Sequence, residues 1–113
     1  MSQKDNPLEI YVAEKLKEYG DKYARPTRAS GASTEIGDVY SNYFYVECKQ
    51  QLTLKDAKIS KEVWKKLLKQ IPVHKAHEKP PMLVVENEDH DRFVVMDIDD
   101  FFRLIEEEDD KAR

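Results

Sequence analysis

Asp38, Glu47 and Lys49 are residues whose types and spacing suit metal-assisted hydrolysis. Two carboxylates held close together ionise side by side poorly unless a cation lies between them. A hard divalent ion such as Mg²⁺, or Mn²⁺ in its place, takes oxygen ligands and keeps several waters. A neighbouring lysine can orient or activate one of those waters. The spacing therefore predicts a Mg²⁺ site in the segment 37–49.

A β-hairpin is the element that must bring these side chains together. Successive side chains of a strand point to opposite faces, so Glu47 and Lys49 share one face and Cys48 lies on the other, toward the core. If Ser41-Asn42 is a two-residue hairpin connection, Asp38 lies opposite Tyr45 and becomes the diagonal neighbour of Glu47.

The Asp followed by Glu-x-Lys on the next strand resembles the PD-(D/E)XK nuclease superfamily. The preceding segment, Arg25-Pro26-Thr27-Arg28-Ala29-Ser30-Gly31, is similar to the Arg-rich, Ser-Gly segment of the archaeal and phage-type Holliday junction resolvases. The resemblance spans roughly residues 6–98. The chain departs from the family in the compact spacing from Asp38 to Glu47 and in Gly37, which stands where the family has proline. Either residue can turn the chain.

The resemblance implies a restriction-endonuclease-like fold and a set of site residues. The expected metal ligands are Glu9, Asp38, Glu47 and the backbone carbonyl of Cys48, and the expected catalytic residues are Glu9, Asp38, Glu47, Lys49 and Ser30. Lys49 would position the attacking water and Ser30 would contact the scissile phosphate. The resemblance makes Arg25, Arg28 and Ser30 the expected DNA-binding residues. Lys55, Lys58 and Lys61 are further candidates, because lysines near the start of the second helix can bind phosphates. For Arg25 a purely structural role is an equal alternative.

The third carboxylate of the metal site would come from the first helix, where Glu9 and Glu14 are the candidates. The apolar stripe formed by Leu8, Val12, Leu16 and Tyr19 leaves Glu9 at its border and Glu14 nearly opposite. Glu9 is therefore the one expected to face the sheet, although it also fits a capping box with Asn6.

Composition indicates one domain, residues 1–113, with an acidic C-terminal helix or tail at about 99–113. The formal net charge is −4, yet residues 49–79 hold nine lysines and three acids, whereas residues 86–113 hold twelve acids and four bases. A basic segment of this kind can neutralise phosphates, although lysines on a helix are often only its solvated face. A single cysteine and the absence of a signal peptide or long apolar run predict a soluble protein of a reducing cytoplasm, in a viral, archaeal or bacterial host.

Hydrophobic periodicity predicts an α/β (α+β) fold with the order αβββαββα. Helices are expected after Asn6, after Ser60 and from Asp99 or Asp100, and strands at 23–30, 36–41, 43–49, 82–86 and 93–97. A strand, a crossover helix and another strand favour a parallel pair, which gives a central mixed sheet flanked by helices.

The function that the resemblance implies is that of a Holliday junction resolvase, a Mg²⁺-dependent endonuclease that nicks four-way DNA junctions as a homodimer, without a small-molecule cofactor or a membrane. Two nicks across a junction need two active centres, and a chain of 113 residues offers one. The alternatives are a nicking or restriction-like endonuclease of the same superfamily, a catalytically silent DNA-binding module, and an acidic protein that mimics nucleic acid.

Overall fold

A computed structural model describes residues 6–28 and 35–112, with side chains up to residue 107. The elements are α1 (Pro7–Glu18), β1 (Arg25–Pro26), β2 (Val39–Tyr40), β3 (Tyr45–Gln50), α2 (Lys61–Gln70), a 3₁₀ turn (Val73–Lys75), β4 (Pro81–Glu86), β5 (Arg92–Val95) and α3 (Ile98–Ala112). The α/β class predicted from the sequence is confirmed. No helix in the described part of the chain combines the length and apolar character that crossing a membrane requires.

The five strands form one mixed sheet in the order β1-β2-β3-β4-β5. The pairs β1/β2, β2/β3 and β4/β5 are antiparallel, whereas β3 and β4 run parallel, with Tyr45 beside Pro81 and Gln50 beside Glu86. Parallel neighbours need a crossover connection, and the segment containing α2 supplies it. The predicted mixed sheet with a parallel crossover is confirmed.

Helix α1 begins as its sequence predicts and covers one face of the sheet. The Asn6 side chain accepts a hydrogen bond from the Leu8 backbone N–H at 2.8 Å, and Pro7 occupies the first helical position. Leu8 and Val12 are buried against the sheet face that carries Val46, Cys48, Met82 and Val84. Tyr19 does not extend the buried stripe, because the helix ends at Glu18 and Tyr19 is exposed.

Helix α2 packs against the opposite face. The Ser60 side chain caps it by accepting from the Val63 N–H at 3.4 Å, and Leu67 is fully buried. Two layers of helix thus enclose the sheet, and side chains that alternate along β3 face different helices. Even-numbered residues of β3, such as Val46 and Cys48, face α1, and odd-numbered residues, such as Glu47, face α2.

The connection between β2 and β3 is longer than the predicted two residues. Val39 pairs with Val46, so the register is shifted by two and the prediction that Asp38 lies opposite Tyr45 is wrong. The longer loop is held by polar contacts with buried Asp21, whose carboxylate accepts from the Ser41 hydroxyl at 2.6 Å. Ser41 Oγ in turn accepts from the backbone N–H groups of Tyr43 and Phe44. A shift of two leaves every side chain on its predicted face.

Other boundaries also differ from the predictions. Strand β2 covers only Val39–Tyr40 instead of 36–41, and β5 ends at Val95 instead of at 97. Strand β1 is Arg25–Pro26, so residues 23, 24, 27 and 28 of the predicted strand 23–30 are not strand, and 29–30 lie outside the described residues. Its proline has no N–H to donate to a ladder. Helix α3 begins at Ile98 rather than at Asp99 or Asp100, because the Asp97 carboxylate accepts from the Asp99 N–H at 2.8 Å and so caps the helix.

Gly37 occupies a backbone conformation that only glycine tolerates here. Its φ is +77°, and a Cβ at this position would lie 2.2 Å from the Val46 carbonyl oxygen. Its N–H also donates to the side chain of Gln70 at 3.0 Å, which a proline has no hydrogen to do. The exchange of proline for glycine relative to the resembled family is therefore a requirement of this turn.

Replacing Gly37 with alanine should lower the free energy of unfolding by about 3 kcal/mol or more, because the added Cβ meets a backbone oxygen that cannot move without opening the hairpin. Urea unfolding measures the loss. Gly20→Ala is the matched control: its φ is also positive, at +101°, but its Cβ would meet only the Tyr43 hydroxyl at 3.4 Å. The control should lose about 1–2 kcal/mol. Equal losses in the two variants would contradict the close contact at Gly37.

Candidate metal and nucleic-acid site

Strand β3 places Glu47 and Lys49 on the α2 face and Cys48 on the α1 face, as alternation predicted. Glu47 is only 6% exposed, and its Oε1 lies 3.8 Å from the Lys49 Nζ. Cys48 is buried in the core with Leu8 and Val12. The carboxylate and ammonium that could do chemistry therefore lie together, one buried and one partly open to solvent.

Asp38 is bound to the same strand by two hydrogen bonds. Its backbone N–H donates to the Val46 carbonyl at 2.6 Å, and its carboxylate Oδ2 accepts from the Cys48 backbone N–H at 2.9 Å. The left-handed turn at Gly37, immediately before Asp38, makes this close approach to β3 feasible. Asp38 thus occupies the edge of β3 just beyond the end of the β2 pairing.

The Cys48 carbonyl lies on the same edge as the Asp38 carboxylate. The backbone N–H of Tyr45 donates to the Pro80 carbonyl, and the N–H of Gln51 donates to the Glu86 carbonyl. The odd-numbered residues of β3 therefore make their backbone hydrogen bonds with β4. The N–H and C=O of one strand residue point to the same side, and the Cys48 N–H points to Asp38. A backbone oxygen and a carboxylate therefore share one edge of the strand, and both are hard oxygen donors.

The pKa of Glu47 is raised above its ordinary value, first by burial and second by the negative charge of Asp38. Lys49, Lys66 and a hydrogen bond from Gln70 act in the opposite direction without overcoming the burial. Glu47 and Asp38 are thus close enough to repel one another. A divalent cation at this position would relieve that repulsion.

Gln70, at the C-terminal end of α2, connects the two halves of the site and was missed in the sequence analysis. Its Oε1 accepts from the Gly37 N–H at 3.0 Å, so its amide N–H is the donor toward Glu47. One signal was present in the sequence. Gln70 follows Val63 and Leu67 at helical spacing, so a polar residue continues the buried stripe of α2.

Glu9 approaches from the α1 side. It is half-buried. The pKa of the Cys48 thiol is raised first by burial and then by the negative charges of Asp38, Glu9 and Glu47. Glu14 is exposed and pairs with Lys17 at 3.5 Å. Of the two candidates, Glu9 is the one whose charge acts on Cys48, from the α1 face of the sheet. Even so, no group of three or more His, Cys, Asp or Glu side chains within residues 6–28 and 35–107 is already gathered to hold a metal.

The arginines proposed to contact DNA lie next to a segment that is not described. Ser30 falls outside the described residues. Arg25 forms an ion pair with Glu35 and stacks over the Tyr40 ring at 5.5 Å, and the Arg28 backbone N–H donates to Glu35 at 2.8 Å. Arg25 is therefore held by the protein itself, which agrees with the structural role considered for it.

The lysines proposed to contact phosphates are exposed. Lys55 and Lys58 lie in the loop before α2 and Lys61 at its first turn. The backbone of Lys58 is fixed by two hydrogen bonds with the Gln51 side chain, at 2.7 and 2.8 Å. Among the lysines of α2, Lys66, one helical turn before Gln70, is the one whose charge acts on Glu47, and the sequence analysis did not single it out.

Comparison with known proteins gives no relative from which to transfer a function: no family model, no curated protein and no solved structure matches the chain.

Replacing Glu47 with glutamine should raise the free energy of unfolding at pH 7 by about 0.5–2 kcal/mol, because it removes a buried charge that faces Asp38. The expected gain in stability follows from the pKa of Glu47, which is higher in the folded protein than in the unfolded chain. The native protein avoids this penalty below the ordinary carboxyl pKa of 4.5 and carries it in full once the pH exceeds the raised value. The difference in the free energy of unfolding between Glu47→Gln and the wild type should therefore grow as the pH rises from 4.5 through the raised pKa of Glu47.

Urea unfolding at several pH values, without divalent ions, measures this advantage. Glu62→Gln changes an exposed carboxylate of α2 and should shift stability by less than about 0.5 kcal/mol at every pH. A Glu47→Gln variant that is less stable than the wild type across the whole range would show that the ionised carboxylate is stabilising.

Proposed function

We propose that this protein is a Mg²⁺-dependent endonuclease that hydrolyses phosphodiester bonds in branched DNA. The observation that carries the proposal is the position of Asp38 and Glu47 beside the backbone of Cys48, with Lys49 two residues further along the strand. Such a set of carboxylates, carbonyl and ammonium suits metal-assisted hydrolysis better than a binding surface, where a buried carboxylate that faces a second one has no use.

The donor chemistry fits a hard divalent ion. Asp38, Glu47 and the carbonyl oxygen of Cys48 would hold Mg²⁺ or Mn²⁺, and Glu9 would add a carboxylate from the α1 side. All are oxygen ligands, which these ions prefer to nitrogen or sulfur. When bound, the ion would lower the pKa of a water molecule and neutralise charge on the phosphate under attack.

The protein's own residues supply positioning. Lys49 is partly exposed while its ammonium remains near Glu47, so it can hold a water or a phosphate oxygen at the mouth of the site. Gln70 keeps the Gly37 turn and Glu47 in one arrangement. Because burial raises the pKa of Glu47, metal affinity should increase with pH over the range in which this carboxyl group loses its proton.

The basic face of α2 supports a polyanionic substrate. Lys66 is close enough to Glu47 to influence its charge, so α2 lies along the same side of the sheet as the site. Lys61, Lys65 and Lys69 are exposed on this helix. DNA phosphates that lie along α2 would be neutralised by its lysines within reach of Asp38 and Glu47. Binding of DNA should therefore weaken steeply as the salt concentration rises.

A restriction-endonuclease-like fold and junction resolution are the finer parts of the proposal. They rest on the resemblance of residues 25–31 and of the Asp and Glu-x-Lys pattern to the resolvases. Contact of Ser30 with the scissile phosphate, and of Arg28 with the flanking backbone, belongs to the same proposal. Paired nicks would require a homodimer, each chain contributing one site.

Asp38→Asn should reduce Mg²⁺-dependent cutting of a labelled four-way junction by about 100-fold or more, because a ligand worth several kcal/mol in the transition state is lost. The asparagine oxygen can still accept from the Cys48 N–H, so folding and junction binding should persist. Cutting rates and binding are measured on the junction and on linear duplex of matched sequence. Asp89→Asn, at an exposed position in the β4–β5 turn, is the control and should cut like the wild type.

The other outcomes separate the alternatives. Unchanged cutting by Asp38→Asn would remove the proposed site. Equal cutting of duplex and junction would indicate a nicking endonuclease rather than a resolvase. Binding without cutting in Mg²⁺ and Mn²⁺ would indicate a silent DNA-binding module, and a failure to bind any DNA would favour a nucleic-acid mimic.

A further inference from the structure

Strand β5 forms one edge of the sheet, and half of its backbone groups point away from β4. The Asn87 N–H donates to the Asp91 carbonyl at 3.1 Å, one step beyond the last paired residues of β4 and β5. Hydrogen-bonded and non-hydrogen-bonded pairs alternate along an antiparallel ladder, so Phe93 bonds toward β4, whereas Arg92 and Val94 point their N–H and C=O groups outward. Within residues 6–28 and 35–112, no strand pairs with this outer edge.

The open edge of β5 lacks the features that normally prevent a further strand from pairing. The strand contains no proline, glycine or lysine, and its register with β4 is continuous, without a bulge. Arg92 does not guard the edge, because its guanidinium binds Glu86 at 2.9 Å and lies over the Tyr11 ring. Phe93 and Val94, on opposite faces, are 47% and 59% exposed. An edge of this kind is a template for another strand.

Helix α3 follows β5 closely but leads away from the open edge. Only Met96 and Asp97 separate the strand from the helix. Asp100 and Leu104 of α3 lie against the turn at 76–81, which precedes β4. Because β4 lies between β3 and β5, this contact places α3 beside the interior of the sheet rather than beyond β5. The outward backbone groups of β5 therefore remain accessible.

A second copy of β5 presents the same outward groups, so its pairing with the first closes on itself. In a two-fold antiparallel pair, Arg92 of each copy would exchange N–H···O hydrogen bonds with Val94 of the other. The side chains that meet would be apolar, because the charge of Arg92 is already paired with Glu86 in its own chain. A strand of this composition is therefore complementary to itself in both its backbone and its side chains.

Backbone geometry and charge select the register of such a pair. Three registers bring the outward residues of the two copies opposite one another, with the two-fold axis at Arg92, Phe93 or Val94. The register at Arg92 would need an extended His90, whose φ is +62°. The register at Val94 would place Asp91 opposite Asp97 of the other copy, and like charges directly opposite are destabilising. The register at Phe93 has neither defect and places two aromatic rings opposite each other.

This pairing would turn both candidate sites to the same side of the joined sheet. Lys49 is beside Val85 and Val85 beside Phe93, so the face that carries Glu47 and Lys49 also carries Phe93. Directly opposite residues of an antiparallel pair share a face, and the two copies therefore keep this face in common. Five strand spacings of about 4.8 Å would set the two β3 strands about 24 Å apart. Two centres on one face are what paired nicks in a single junction would require.

We propose that two copies of this chain associate by antiparallel pairing of their β5 edges, with Phe93 opposite Phe93, which joins their two five-stranded sheets into one. The inference deepens the homodimer of the proposed function, and its value for paired nicks rests on that function. Its evidence and its test involve neither DNA nor metal, so a failure of the dimer and a failure of the nuclease proposal are distinguishable.

Sedimentation velocity at rising protein concentration tests the association, and the wild type should form dimers. Val94→Pro removes an N–H that points to the open edge and leaves the hydrogen bonds between β4 and β5 in place, so the dissociation constant should rise by about tenfold or more. Val94→Thr is the matched control, because it keeps both the N–H and a branched side chain, and it should dimerise like the wild type. Circular dichroism checks that each variant is folded.

Disulfide cross-linking tests the register and does not depend on the folding of the proline variant. With the axis at Phe93, the two Cα atoms at this position would lie about 4.5 Å apart, which a disulfide spans. Phe93→Cys should therefore form a covalent dimer in oxidised glutathione. The two copies of Val94 would be diagonal neighbours about 7–8 Å apart, so Val94→Cys should not cross-link. The natural Cys48 is buried in both variants.

Three results would each overturn the proposal. The first is a wild type that stays monomeric at every concentration. The second is a folded Val94→Pro variant that dimerises as tightly as Val94→Thr. The third is cross-linking of Val94→Cys to the same extent as Phe93→Cys, which would exclude the register centred on Phe93.

Discussion

The hydrogen bond from the Cys48 N–H to the Asp38 carboxylate holds the candidate site together. Strand β2 pairs with β3 only briefly, and beyond Val39 the edge of β3 would present unpaired backbone groups. The Asp38 carboxylate accepts the hydrogen bond of the Cys48 N–H, which in a longer strand pair would go to the backbone of a β2 residue. A carboxylate is thereby fixed beside a backbone carbonyl and a second carboxylate, an arrangement that a regular ladder would not produce.

This arrangement carries an electrostatic cost that the neighbouring residues reduce without removing. Glu47 is buried next to Asp38, and the raised pKa shows that Lys49, Lys66 and Gln70 do not fully compensate. A group destabilised in this way by its surroundings is typical of sites that bind or react rather than of structural ion pairs. The contrast with Glu86 is informative. Burial acts to raise the pKa of that carboxylate, but hydrogen bonds from Gln50 and His90 and the charge of Arg92, at 2.9 Å, lower it below its ordinary value.

Sequence reasoning succeeded where the controlling physics is local. Strand alternation fixed the faces of Glu47 and Cys48, and the caps at Asn6 and Ser60 depend on residues two or three positions away. It failed where contacts are distant. The hairpin register depends on Asp21, twenty residues before Ser41, and the approach of Gln70 to Gly37 spans 33 residues.

Gly37 illustrates the limit best. From the sequence it was interchangeable with proline, since both residues turn a chain. Only the nearness of the Val46 carbonyl and the donation of the Gly37 N–H to Gln70 show that proline cannot serve here. The residue that departs from the resembled family is therefore the one that lets Asp38 reach β3. The candidate site is predictable in its residue types, whereas its assembly depends on this one backbone conformation.

The uneven distribution of charge along the chain has a consequence for the proposed function. A chain with a net charge of −4 would repel a polyanion as a whole, so approach of DNA depends on where its cations lie. The lysines of α2 lie on the side of the sheet that carries Glu47, and Lys66 is close enough to act on that carboxylate. The local positive charge of α2 can therefore attract phosphates to the candidate site although the net charge of the chain is negative.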